Sequence, residues 1–94
     1  MGAQGTAILD FTSTPSEEAS IAVTGQTGIV AGSHAEAFWM VESTAGNDND
    51  DHEQGAIMCP LVCSDVIAGT GFTIRARPLN ALGRDTFNIR WVWN

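Results

Sequence analysis

Thr86-Phe87-Asn88-Ile89-Arg90-Trp91-Val92-Trp93 places Phe87, Ile89, Trp91 and Trp93 on one side of an extended chain and Asn88, Arg90 and Val92 on the other. Strict alternation of this kind marks a strand with one face in a core, because successive side chains of an extended chain point in opposite directions. The run Phe72-Thr73-Ile74-Arg75-Ala76-Arg77 repeats the pattern: Phe72, Ile74 and Ala76 face inward, Gly69-Thr70-Gly71 supplies the turn before it, and Pro78 ends it. A connection over residues 79–85, carrying Asn80 and Gly83, joins the two runs, and they are expected to pair as an antiparallel hairpin.

Four further strands are expected upstream. Residues 6–12 alternate weakly around Ile8, Leu9 and Phe11. Residues 19–24 carry Ala19, Ile21 and Val23 on one face, after a helix-start signature at Thr14-Pro15-Ser16-Glu17 that extends to one turn at most. Residues 34–43 set Ala35, Ala37, Trp39 and Val41 against Glu36, Phe38, Met40 and Glu42, so bulky apolar groups occur on both faces and the second face needs a cover. Residues 57–63 are apolar throughout, and Pro60, which has no N–H to donate, points to a sheet edge or a bulge. Gly25 to Gly28 and Gly69 to Gly71 read as hairpin turns. Short strands, frequent turn signals and no intervening helix define an all-β fold: one small antiparallel β-sandwich of about six strands over residues 1–94, jelly-roll or immunoglobulin-like, in preference to a small barrel.

The 94 residues include eleven acids, four arginines and no lysine, for a formal charge of −7. Nucleic-acid binding draws its affinity from cations that displace phosphate counterions, and anionic membranes reward polybasic segments, so both partner classes are excluded. The opening residues lack the layout of a secretory signal, and no stretch reaches the roughly 18 apolar residues of a membrane span, so synthesis and folding in a cytoplasm are expected. Cys59 and Cys63 on one strand would lie about 13 Å apart, too far for a disulfide. They read as two buried thiols, with no zinc-ligand spacing around them.

The conspicuous polar segment is Gly46-Asn47-Asp48-Asn49-Asp50-Asp51-His52-Glu53. Its carboxylates at Asp48, Asp50, Asp51 and Glu53 are a weak candidate for calcium, which takes six to eight oxygen ligands. The EF-hand pattern is not met, since the positions that require Gly and Glu hold Glu53 and Cys59. The favoured reading is a solvated connection, with no cofactor expected. Ser33-His34 with Asp10 or Asp65 forms a triad only by chance composition, no nucleophile-elbow motif occurs, and the chain reads as a non-enzyme. Trp39 and Trp91 are expected in the core, whereas Trp93 either caps the sandwich or reaches a neighbour. A tryptophan platform at Trp39 or Trp93 would also suit a carbohydrate-binding module for a host-surface glycan, which is the alternative function.

The runs Val23-Thr24-Gly25-Gln26-Thr27-Gly28-Ile29, Ser33-His34-Ala35-Glu36-Ala37-Phe38-Trp39, Gly69-Thr70-Gly71-Phe72-Thr73-Ile74 and Thr86 to Trp93, with the Asp/His segment between them, together resemble a group of small uncharacterised proteins encoded by tailed bacteriophages and prophages among virion-structure genes. The resemblance covers roughly residues 8–94 and consists of strand-and-turn patterns. It implies a virion component: a capsid decoration (cement) protein or a tail or neck protein, present in many copies, made in the bacterial host cytoplasm, with other virion proteins as partners and a homo-oligomer as the expected state. The contact surface expected from the residues is Phe38, Met40, the edge at Pro60, and Trp93.

Overall fold

The computed structural model of the protein describes residues 2–12, 14, 16–40, 47, 49–78 and 83–94. Six strands and one helix follow in the order β1 (Ala3–Asp10), β2 (Ala19–Val23), β3 (Ala35–Trp39), α1 (Asn49–Met58), β4 (Leu61–Ile67), β5 (Gly71–Ala76) and β6 (Thr86–Trp93). Two three-stranded antiparallel sheets result, ordered β1-β6-β3 and β2-β5-β4. This is a small all-β sandwich. β1 pairs with β6 and β2 with β5, while β3 and β4 touch across the sandwich. The nested β1–β6 and β2–β5 pairs follow the order of a long antiparallel hairpin wrapped on itself, as in a jelly roll.

The inner face of the first sheet is built by a size rule. Across the three strands, Trp93 lies between Ala3 and Ala35, and Trp91 lies between Gly5 and Ala37. Small neighbours give the indoles room to lie over the sheet; a Cβ on Gly5 would collide with the Trp91 ring. The second sheet answers with Ile74 between Ile21 and Cys63, and with Phe72 edge-on to Trp91 at 5.7 Å between ring centroids. Leu9, Ile74 and Ile89 are fully enclosed, each worth about 1.5–3 kcal/mol of transfer free energy before chain entropy is set against it.

Several expectations need correction. β5 and β6 form no hairpin: each is the central strand of a different sheet, and the connection between them crosses from one layer to the other. The hairpin is β4–β5, closed by Gly69 at φ 74° and by Thr70 N–H donating to the Ile67 carbonyl at 3.0 Å. Gly25 (φ 75°) likewise opens no hairpin, because β2 and β3 belong to different sheets. Residues 57 and 58, read as strand, complete α1, and Pro60 stands just outside β4 rather than within it. β4 is nonetheless an edge strand. Asp65, at φ 54°, sits in a bulge between Ser64 and Ile67. The extra residue reverses the facing, so that Val66 turns to the core and Ile67 to solvent. Ser16 forms no helical turn; it is bridged to Gly83 by two 2.8 Å backbone bonds. Among the described residues no helix is long and apolar enough to cross a membrane.

Candidate functional site

The first sheet presents its outer face to solvent. Reading across β1, β6 and β3, the register sets Gln4, Val92 and Glu36 in one row and Thr6, Arg90 and Phe38 in the next, with Ile8 beside Asn88 beyond them. Met40 continues β3 by donating its N–H to the Asn88 carbonyl at 3.1 Å. Phe38 is 50 % exposed and Ile8 56 %, and Met40 is half-buried. These three surround Arg90 and Asn88, giving an apolar band with one guanidinium in it. The outer face of the second sheet is more polar: Arg75 binds the Asp65 carboxylate at 2.7 Å and the Ser64 hydroxyl at 3.2 Å, while Arg77 lies 3.5 Å from Glu18.

The expected contact residues therefore divide. Phe38 and Met40 share this band, and Pro60 is exposed at the start of β4. Trp93 does not belong with them. It is 5 % exposed, its ring lies in the core, and its indole N–H donates to Gln26 Oε1 at 2.9 Å. The side-chain amide supplies the polar partner that a buried indole requires, which removes any need for a neighbouring molecule. Trp91 is 7 % exposed, and Trp39 packs against the core with its N–H on the Cys59 carbonyl at 2.8 Å. Trp91 and Trp93 are thus enclosed, whereas Trp39 is partly buried with its N–H already bonded. Ile8 was missed because its strand alternates weakly in sequence; the free face of β1 is visible only once β6 is seen beside it.

Where it is described, at residues 47 and 49–53, the Asp/His segment is not a solvated loop. Asn47 Nδ2 donates to the carbonyls of Arg84 (2.9 Å) and Thr86 (2.8 Å), and His52, fully buried on α1, accepts the Asn88 N–H on Nε2 at 3.0 Å. These backbone groups lie on the β3 side of β6, at and beyond the point where β3 departs, so side chains continue the ladder that the strand leaves unfinished. The imidazole also meets Phe87 edge-on at 4.9 Å, and Gly55 lets the helix approach Trp39, whose ring would sit 2.9 Å from any Cβ there. Of the candidate cation ligands, Glu53 is exposed, while Asp48 and the side chains of Asp50 and Asp51 lie outside the described residues. Among the described residues no group of three or more His, Cys, Asp or Glu is placed to hold a metal ion.

The residues of the chance triad have separate partners. Ser33 Oγ accepts the Val30 N–H, His34 pairs with Glu36 at 3.3 Å, Asp10 accepts the Thr12 N–H and Asp65 holds Arg75. Both cysteines are free, Cys59 buried and Cys63 half-buried. Burial pushes the Cys59 thiol up to about 11, against a weaker opposing backbone hydrogen bond from Arg77, and burial together with the Glu36 charge also raises Cys63. Such thiols stay protonated at neutral pH and are poor nucleophiles.

No known protein family, curated protein or solved structure matches the chain.

Proposed function

We propose that the protein is a non-enzymatic structural component of a tailed-bacteriophage virion, attached in many copies to capsid or tail proteins as a decoration or tail-associated subunit. The observation that carries this reading is the apolar band of exposed Phe38 and Ile8 with half-buried Met40 on the outer face of the first sheet. An aromatic ring loses little entropy on contact and makes an effective anchor, while a flexible methionine adapts its shape to the partner. Repetition over a particle offsets weak single contacts through multivalency. The strand-and-turn resemblance to small proteins of phage structural gene clusters supplies the particle. The jelly-roll wrapping does not choose by itself, since capsid proteins and lectins both use it.

Replacing Phe38 and Met40 together by Ser is expected to leave a folded protein, because Phe38 is half in solvent, and to abolish co-sedimentation with the particle. Mass spectrometry of purified virions from producing cells should find the chain in stoichiometric amount. Its absence from such particles would sink the reading, and unfolding of the double variant would reassign the two side chains to the core.

A further inference from the structure

β1 is a long edge strand whose one charge, Asp10, stands at its last residue. Sheet edges in soluble proteins are blunted by shortness, charge, proline or a bulge, because a bare row of N–H and C=O groups recruits another strand. Three of the four edges here carry such a device. β2 and β3 have five residues each, β3 bears Glu36, and β4 is broken by the Asp65 bulge. β1 runs for eight residues in unbroken register with β6, and from Ala3 to Leu9 it contains no charge and no proline.

The direction of its backbone groups follows from the ladder. Phe11, next in the β1 register, donates its N–H to Asp85 across from it at 2.9 Å, so odd-numbered residues turn toward β6. Gln4, Thr6, Ile8 and Asp10 therefore aim their N–H and C=O groups outward. β2 comes near this edge, yet among the described residues no backbone hydrogen bond joins the two strands.

We infer that β1 is the surface through which two copies of this chain associate, by antiparallel edge-to-edge pairing that turns two three-stranded sheets into one six-stranded sheet. Charge selects the occupant. Two-fold pairing centred on Ile8 sets that half-exposed side chain against its own copy and sets each Asp10 beside Thr6 of the other chain. Thr6 is the cross-strand neighbour of Arg90, so the one carboxylate on the strand approaches a guanidinium of the other copy instead of its own counterpart. The outward donors and acceptors of Thr6, Ile8 and Asp10 meet those of Asp10, Ile8 and Thr6 on the other copy, as an isologous contact requires, and the new ladder ends at Thr12, whose N–H and carbonyl are held within its own chain. The inference supplies a self-association surface that the proposed particle role leaves open, and it stands whichever particle carries the protein.

The test is the mass of the full chain by sedimentation equilibrium over a range of concentrations, read together with amide exchange. A species of twice the 9.9 kDa chain mass is expected, with exchange at Thr6 and Ile8 slowed about tenfold or more relative to the dilute protein, while Ala7 and Leu9 are protected throughout. Thr6→Pro removes only an outward N–H and Ile8→Lys adds a charge on the solvent face; each should give a folded monomer, and if the proline variant fails to fold, the lysine variant alone decides. A monomer at every concentration with fast exchange at Thr6 and Ile8 overturns the pairing while leaving the Phe38 and Met40 attachment test untouched. A dimer that survives Ile8→Lys overturns it as well, and so does protection of these amides only when another protein is added.

Discussion

The two ends of β6 solve one problem in different ways, and a histidine stands at each. At the Trp93 end the strand is flanked by backbone on both sides: the Asn94 N–H donates to the His34 carbonyl at 2.8 Å, and the His34 N–H returns a bond of 3.0 Å. The His34 imidazole itself is in solvent, paired loosely with Glu36. At the Thr86 end β3 has ended, and the Asn47 amide and the His52 ring add side-chain bonds to that edge of β6. A ladder made of backbone tolerates almost any side chain, whereas one made of side chains depends on their identity.

Substitutions at the Thr86 end should accordingly dominate. Phe87 joins Phe11, Trp39 and His52 in edge-on contacts, and Phe87→Ala is expected to cost about 3–5 kcal/mol in chemical denaturation; a loss comparable to a surface change would mean that this end is not packed. His52→Ala removes both a ring contact and the acceptor for Asn88, for an expected loss of about 2–3 kcal/mol. Recovery of part of that loss in His52→Gln would assign it to the hydrogen bond rather than to volume.

Next to this end, Cys59 gives a pH signature. Its thiol rises from 9.0 to about 11 on folding, so the folded state holds the proton more tightly than the unfolded chain does. Stability is then complete below about pH 9 and declines toward pH 11, by on the order of 2 kcal/mol. Alkaline melts should show the decline in the natural protein and a smaller one in Cys59→Ala, where only the raised Cys63 thiol remains. The smallest effect belongs to the other end: His34→Ala should change stability by less than about 0.5 kcal/mol, since an exposed ion pair contributes little. Equal losses for the two histidines would erase the distinction.

The strands were legible where alternation is strict. The bounds of β6, the inward set Phe72, Ile74 and Ala76, and the core positions of Trp39 and Trp91 all follow from period two and the demand to bury large apolar groups. Pairing was less legible, because adjacency in sequence favours a hairpin, while β5 and β6 are each more useful as the centre of a sheet. α1 was hidden for a different reason. It has no amphipathic stripe, and its place is fixed by His52 and by the close approach at Gly55, contacts to residues distant in the chain; the acids clustered in its first turn, which favour a helix N-terminus, were the one local signal. Trp93 was misplaced because proximity to the end of the chain says nothing about burial, and its partner Gln26 belongs to a loop on the far side of the sequence. The exposed faces of Phe38 and Met40 could be read from the alternation of β3, whereas the open edge of β1 needed the sheet order.

That sheet order also governs how the molecule comes into being. Among the described residues β1 and β3 share no ladder; each pairs with β6 in the sheet, and β6 follows the other five described strands in the chain. While the ribosome is still short of Thr86, the first layer has two halves and no middle. Closing the long span from β1 to β6 makes folding a late and comparatively slow event, so chaperone capture, nonsense truncation and translational pausing should all act on the same species: a nascent chain whose two outer strands await the tryptophan-bearing one.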